Sequence, residues 1–486
     1  MPGNTAVAWA TGRLHSEVVR SKATTTDTMS GRTPLFRAAA NGHEEVVRAL
    51  LERNDVNLDA VDEYGRTPLC VAAEMGHKGV VRILVEQSDA NLNMAGGMYD
   101  RTPLCWAASN GDEEVVRLLL EQNGVNPNQG DGGGRTPVFW AAGNGQEGVV
   151  RILLGRSDIN PNTGDEEGRT PLFRAAENGH EEVVRALLER NDVNLDAVDE
   201  YDQTPLCVAA QRGHKGVVRI LVEQSDANLN MADEMYGRTP LCWAASNGDE
   251  EVVRILLEHN GVNHNIADLR GRTPLAMAAE NGNGEVVRIL LERNVDPSAG
   301  DEEGRTPLSW AARNGHEDVV RILLEQNVNP NAGDEEGRTP LSWAARHGRE
   351  EVVKILLEQN GINPNIANLR GRTPLSWAAR NGHEEVVRIL LEQNGINPNI
   401  ANSRGRTPLS MAAETGREGI VRILLERDDV NLDTIDQFGK TPASWATEYG
   451  HNGIAKLLQD RADFVLRYAA TLQLTRSRSP EPSDPS

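Results

Sequence analysis

The sequence predicts an all-α solenoid of stacked two-helix units, and three observations predict it. Thr-Pro occurs at Thr33, Thr67, Thr102, Thr136, Thr170, Thr204, Thr239, Thr273, Thr306, Thr339, Thr373, Thr407 and Thr441, a mean spacing of 34 residues. A fixed period in the range of about 20 to 50 residues marks a repeat architecture, in which each unit buries its apolar face only against its neighbours. Each Thr-Pro also opens the same succession of residues, with signals for two helices and a turn. Finally, the 486 residues are 38% hydrophobic but only 4% aromatic, with 46 Gly and 23 Pro. That composition suits a thin, extended core better than three compact globules of roughly 150 residues each.

The unit at Thr306 serves as the pattern. Thr306 suits a helix N-cap and Pro307 the first helical position, where a missing N–H costs nothing. The first helix runs through Leu308-Ser309-Trp310-Ala311-Ala312, whose alanines admit a close neighbour, and Gly315 is placed to take the left-handed conformation that ends it. Glu317 and Asp318 then stand at the positive end of a second helix, with Val319, Val320, Ile322, Leu323 and Leu324 as its buried stripe. Arg321 and Glu325 are spaced i, i+4 in the weaker Arg-first order, worth a few tenths of a kcal/mol at most. Connectors rich in Asn, Pro, Gly and Asp lead to the next unit through hairpin-like tips.

These residues resemble the ankyrin repeat. Asp-x-x-Gly-Arg-Thr-Pro-Leu, Ala-Ala-x-x-Gly-His, Val-Val-Arg and Leu-Leu-Glu match the family pattern over residues 31–459, as 13 full repeats. One departure is systematic: the His that follows Thr-Pro-Leu in the family is Ser, Cys, Phe or Ala here, which removes the inter-repeat hydrogen bond that His supplies. The Ser-Trp-Ala-Ala form with Asn-Pro-Asn connectors is similar to the ankyrin arrays of filamentous fungi, which often sit behind NACHT-type nucleotide-binding modules. Residues 1–30 read as a degenerate N-terminal capping repeat, 460–474 as a C-terminal capping helix containing Phe464, Val465 and Leu466, and 475–486 as a disordered tail.

Charge and motif content narrow the function. Fifty basic against 72 acidic residues give a net charge of −22, which disfavours nucleic acid and anionic membrane surfaces and favours a basic or mixed-charge protein partner. No run approaches the 18 to 20 apolar residues of a membrane span, and Met1-Pro2-Gly3-Asn4 lacks a secretory signal's character, so the expected location is intracellular, in cytoplasm or nucleus. Cys70, Cys105, Cys207 and Cys242 share one slot of the repeat and read as buried small hydrophobes, too far apart for a disulfide. His43, His77, His180, His214, His316, His383 and His451 follow the turn glycine and read as helix-start residues. All eight Trp lie four residues after a repeat's Thr and read as packing between first helices. Gly143-Asn144-Gly145-Gln146-Glu147-Gly148 matches a dinucleotide-binding glycine pattern in letter only, because it lies between helices and not after a strand. No catalytic residue, metal site or cofactor is expected, and the chain reads as a monomer.

What remains is a binding surface. The resemblance implies that ligands bind on the concave face formed by the tips and the outer residues of the first helices. Residues 33–121 align without gaps to 170–258, an offset of 137, and differ at nine of 89 positions: 40, 65, 66, 74, 75, 96, 97, 100 and 118. Eight of these nine changes, between blocks four repeats apart, fall at tips or at the last two residues of first helices, while the outer side of the second helices stayed constant, a pattern we read as diversification of specificity. Candidate partner-binding residues in the N-terminal half are Tyr64, Tyr99, Tyr201 and Tyr236, with Arg66, Glu74, Met75, Gln211 and Arg212. In the C-terminal half, Arg270, Arg370 and Arg404 at tips and Arg313, Arg346 and Arg380 on first helices are expected to attract carboxylates.

Overall fold

A computed structural model describes residues 31–87, 90–97, 99–224 and 227–476. The capping repeat expected over 1–30 lies outside the described residues, as does the expected tail beyond Arg476. The described residues contain 26 helices in helix-turn-helix pairs. No strand occurs among them, and the one isolated bridge joins Gly96 and Arg101 at a tip. Two compact units divide the chain: residues 1–243 with 254–262, and 244–253 with 263–486. Within each unit, first helices pack on successive first helices and second helices on successive second helices.

Local chemistry sets the boundaries. In every repeat the Thr Oγ1 accepts the backbone N–H three residues on, at 3.1 to 3.3 Å, and so caps the first helix. Gly315 ends its helix at φ 88°, a conformation a side chain would strain. Ala311 and Ala312 are fully buried, as are Val320 and Leu323, whereas Leu324 is only half-buried and stands outside the expected stripe. Arg321 turns back to Glu317 and Asp318, at 3.7 and 3.8 Å, and not forward to Glu325. The first-turn acids lie on the side toward which a helical side chain leans. All three groups are exposed, so the pairs contribute little.

Polar ties join the repeats. His77, His180, His214, His316 and His383 each place Nε2 2.9 to 3.1 Å from a carbonyl of the preceding first helix, so that ring N–H donates across the repeat boundary. An asparagine ladder does the same at the connectors: Asn126 N–H donates to Asn93 Oδ1 at 2.7 Å, and Asn397 N–H to Asn365 Oδ1 at 2.9 Å. The slot left by the missing family His is filled differently. Cys70 Sγ and Cys207 Sγ donate to the carbonyls of Met94 and Met231 at 3.1 and 3.3 Å.

The chain's end differs from expectation. Instead of a separate cap over 460–474, one helix runs Asn452–Arg476 as the continuation of the last repeat's second helix. Leu457-Leu458-Gln459-Asp460-Arg461-Ala462 holds no Gly or Pro to stop it. Phe464 and Val465, assigned to the cap, are 58% and 47% exposed.

Candidate functional site

The tips are built around one aspartate. In the loop Asp334-Glu335-Glu336-Gly337-Arg338, Asp334 Oδ1 accepts the backbone N–H groups of Glu336 and Arg338 at 3.0 and 2.8 Å. Its Oδ2 accepts from Arg338 Nε at 2.8 Å and from Trp343 Nε1 at 3.1 Å. The Arg338 guanidinium lies 4.4 Å from the Trp343 ring centroid. Asp301 with Arg305 and Trp310, and Asp131 with Arg135 and Trp140, repeat this arrangement. Trp140, Trp310 and Trp343 therefore pack, as expected, and also pin a first helix to its own tip. The signal for this was present in the sequence as the nine-residue step from Asp131, Asp301, Asp334 and Asp436 to a Trp, ten residues at Asp233.

In three repeats without Trp, those at Thr67, Thr273 and Thr407, an acid at the end of the first helix takes the tip arginine instead. Arg66 pairs with Asp62 and Glu74, both at 2.8 Å, and Arg272 with Asp268 and Glu280 at 2.7 and 2.6 Å. Burial works to raise the Asp62 carboxyl, but Arg66 and two backbone N–H groups outweigh it and hold it below the usual carboxylate range. Asp199, the counterpart of Asp62 in the duplicated block, faces Gln203 in place of an arginine. There burial prevails and the carboxyl is raised.

The structure sorts the candidate residues into two groups. Tyr64, Tyr99, Tyr201 and Tyr236 are 43 to 54% exposed on tips of the first unit, and Met75 is 52% exposed. Successive tips are tied by single backbone bonds: Gly97 N–H donates to Tyr64 O at 2.7 Å, Gly132 to Tyr99 O and Glu234 to Tyr201 O, both at 2.9 Å. Arg212 reaches Glu177 at 3.5 Å and remains exposed, and Gln211 beside it is half-buried. By contrast Arg66 and Glu74 are neutralised inside the tip, and their counterparts Gln203 and Gln211 have lost both charges together. Position 96 is likewise internal, because Asp233 accepts the Trp243 indole N–H at 2.8 Å where the first block has Gly96. Part of the clustering of the nine substitutions thus reflects exchange within internal ion pairs.

In the second unit Arg270, Arg370 and Arg404 are exposed, and Arg313, Arg346 and Arg380 are half-buried along first helices. Arg313 lies against the rings of Trp310 and Trp343, and Arg346 against those of Trp343 and Trp377. Burial, with Arg338 and Arg313 nearby, pushes the Arg346 guanidinium below its ordinary value. No group of three or more His, Cys, Asp or Glu side chains placed to hold a metal ion occurs among the described residues. Nor is any described helix long and apolar enough to cross a membrane.

The family model described as ankyrin repeats in three copies matches ten overlapping stretches from residues 8–96 to 394–468. No curated protein matches the chain.

Proposed function

Since this chain belongs to the ankyrin-repeat family, whose arrays act in protein–protein interaction, we propose that it is a non-enzymatic scaffold that binds a protein partner across its tips and first helices. The observation that carries this is the exposure of Tyr64, Tyr99, Tyr201 and Tyr236, four aromatic rings at tips of the first unit. Exposed aromatic side chains on a rigid frame suit interface anchors, because they bring large area at small entropic cost. Glu63, Glu200 and Glu234 beside them favour a basic, partly apolar partner.

The Ser-Trp-Ala-Ala repeats also support a second reading, in which the array is the ligand-sensing half of a receptor switched by a NACHT-type nucleotide-binding module. An upstream reading frame encoding such a module would decide for it.

Capture of a partner from native extract tests the first reading. The quadruple change of the four tyrosines to Ser is expected to abolish capture of a basic partner with the helical content unchanged, since anchors of this kind carry more than about 1 kcal/mol each. Capture that persists in this variant, but weakens when Arg82, Arg117 and Arg185 on second helices become Gln, would move the interface to the opposite face.

A further inference from the structure

The Thr373 repeat breaks the tip arrangement in one place. Its tip carries Asn368 where the preceding repeat carries Asp334, yet Arg372 and Trp377 are retained; the following Thr407 repeat also has an Asn, Asn402, but with Met411 at the Trp position. Asn368 Oδ1 accepts the backbone N–H groups of Arg370 and Arg372 at 3.0 and 2.9 Å, as an Asp would. Its other branch is then an amide nitrogen, a donor, where Asp334 presents an accepting oxygen. Trp377 is 8% exposed, and its buried Nε1 finds no acceptor. Arg372 lies 4.6 Å from the Trp377 ring centroid, with no carboxylate partner among the described residues. Donors converge here without an acceptor, which a buried polar group tolerates poorly.

These groups line a cleft of about 740 Å³ in which five arginines face three glutamates, in a chain whose net charge is −22. Two of the acids are engaged: Glu303 with Arg305 at 3.0 Å and Glu336 with Arg370 at 3.7 Å. Arg346 and Arg380 face the cleft without a carboxylate partner among the described residues. Burial, with Arg380, Arg370, Arg404 and Arg346 around it, presses the Arg372 guanidinium below its ordinary value. A carboxylate is what this chain itself sets between the same two donors at Asp301, Asp334 and Asp131.

We propose that the cleft at Arg372, Trp377 and Arg380 takes the carboxylate of an Asp or Glu side chain on an acidic segment of a protein partner. The proposal rests on the scaffold reading and assigns the second unit a partner chemistry opposite to that of the tyrosine tips.

Calorimetric titration of the full chain with a hexaglutamate peptide tests it. Asn368→Asp restores the internal acceptor found in the Thr339 repeat, so the fold is kept while the cleft loses its demand for an anion. The expected result is saturable binding by the parent chain, weakened at least about tenfold by Asn368→Asp and by Arg380→Gln. Arg388→Gln, on the exposed side of a second helix, is expected to leave it unchanged. Equal binding by Asn368→Asp and the parent overturns the proposal, as does a parent chain that binds no hexaglutamate at low salt. Competition by millimolar inorganic phosphate as effective as that of free peptide overturns the assignment to carboxylate. A failure here leaves capture of a basic partner through the tyrosine tips unaffected, so the two readings are tested separately.

Discussion

Two side chains show how much the position in the repeat decides. Cys105 and Cys207 are fully buried, and loss of hydration for the thiolate pushes both thiols up to about 12. At pH 8 almost no thiolate is present, so labelling of the native chain at these two positions is expected to be slow and to become fast in denaturant. Fast native labelling of both would contradict their place in the core. His347 shows the opposite sign. Burial, together with Arg313, Arg346 and Arg349, lowers it to about 4, and its buried Nε2 finds no partner while the ring stacks on Trp343. The folded state therefore takes up its proton at lower pH than the unfolded chain does. Stability is complete above about 6.5, the unfolded value, and declines as pH falls from there toward 4. Hydrogen exchange in the Thr339 repeat should accelerate between pH 7 and pH 5 after correction for intrinsic rates. His347→Asn, the residue at this place in the Thr306 and Thr373 repeats, should remove most of that acceleration.

At the scale of the element, the helix pair is stable only against its neighbours. A helix of seven or eight residues is too short to persist alone, and here each is held by caps, by alanine contacts and by the ties that run from one repeat to the next. Leu323 is fully buried in the second helix of its repeat. Leu323→Ala is expected to cost about 2 to 5 kcal/mol, and because each repeat touches only adjacent ones the loss should stay local. Hydrogen exchange should rise in the repeats around residue 323 well before those near residue 100; uniform loosening of the chain would count against that picture. The cap is a smaller lever. Thr306→Ala leaves the Ser309 N–H without its acceptor at 3.3 Å and is expected to cost about 0.5 to 2 kcal/mol, read as a shift in local exchange around residues 307–314.

For the whole molecule, the net charge of −22 sets how partners approach. Association with a lysine-rich peptide is expected to be fast at low salt and to slow steeply as ionic strength rises, whereas duplex DNA should not be retained at any salt. A rate insensitive to salt would show that the acidic tips take no part in encounter. The sequence by itself determined the repeat, its caps and the two helices of every unit, because Thr-Pro, Gly and the apolar stripe act on residues a few positions away. It also placed the tyrosines on tips, since no apolar neighbour in the period was available to cover them. Only the tertiary structure decided which charges face outward. Arg66 and Arg370 are both tip arginines in sequence, yet one closes an internal pair with Asp62 and Glu74 and the other remains exposed. It alone brought His316 to a carbonyl 36 residues earlier, and it alone set Asn368 beside an indole N–H with no acceptor. Those outcomes depend on which donor meets which acceptor once the chain is folded, and a residue's type and spacing do not carry that information.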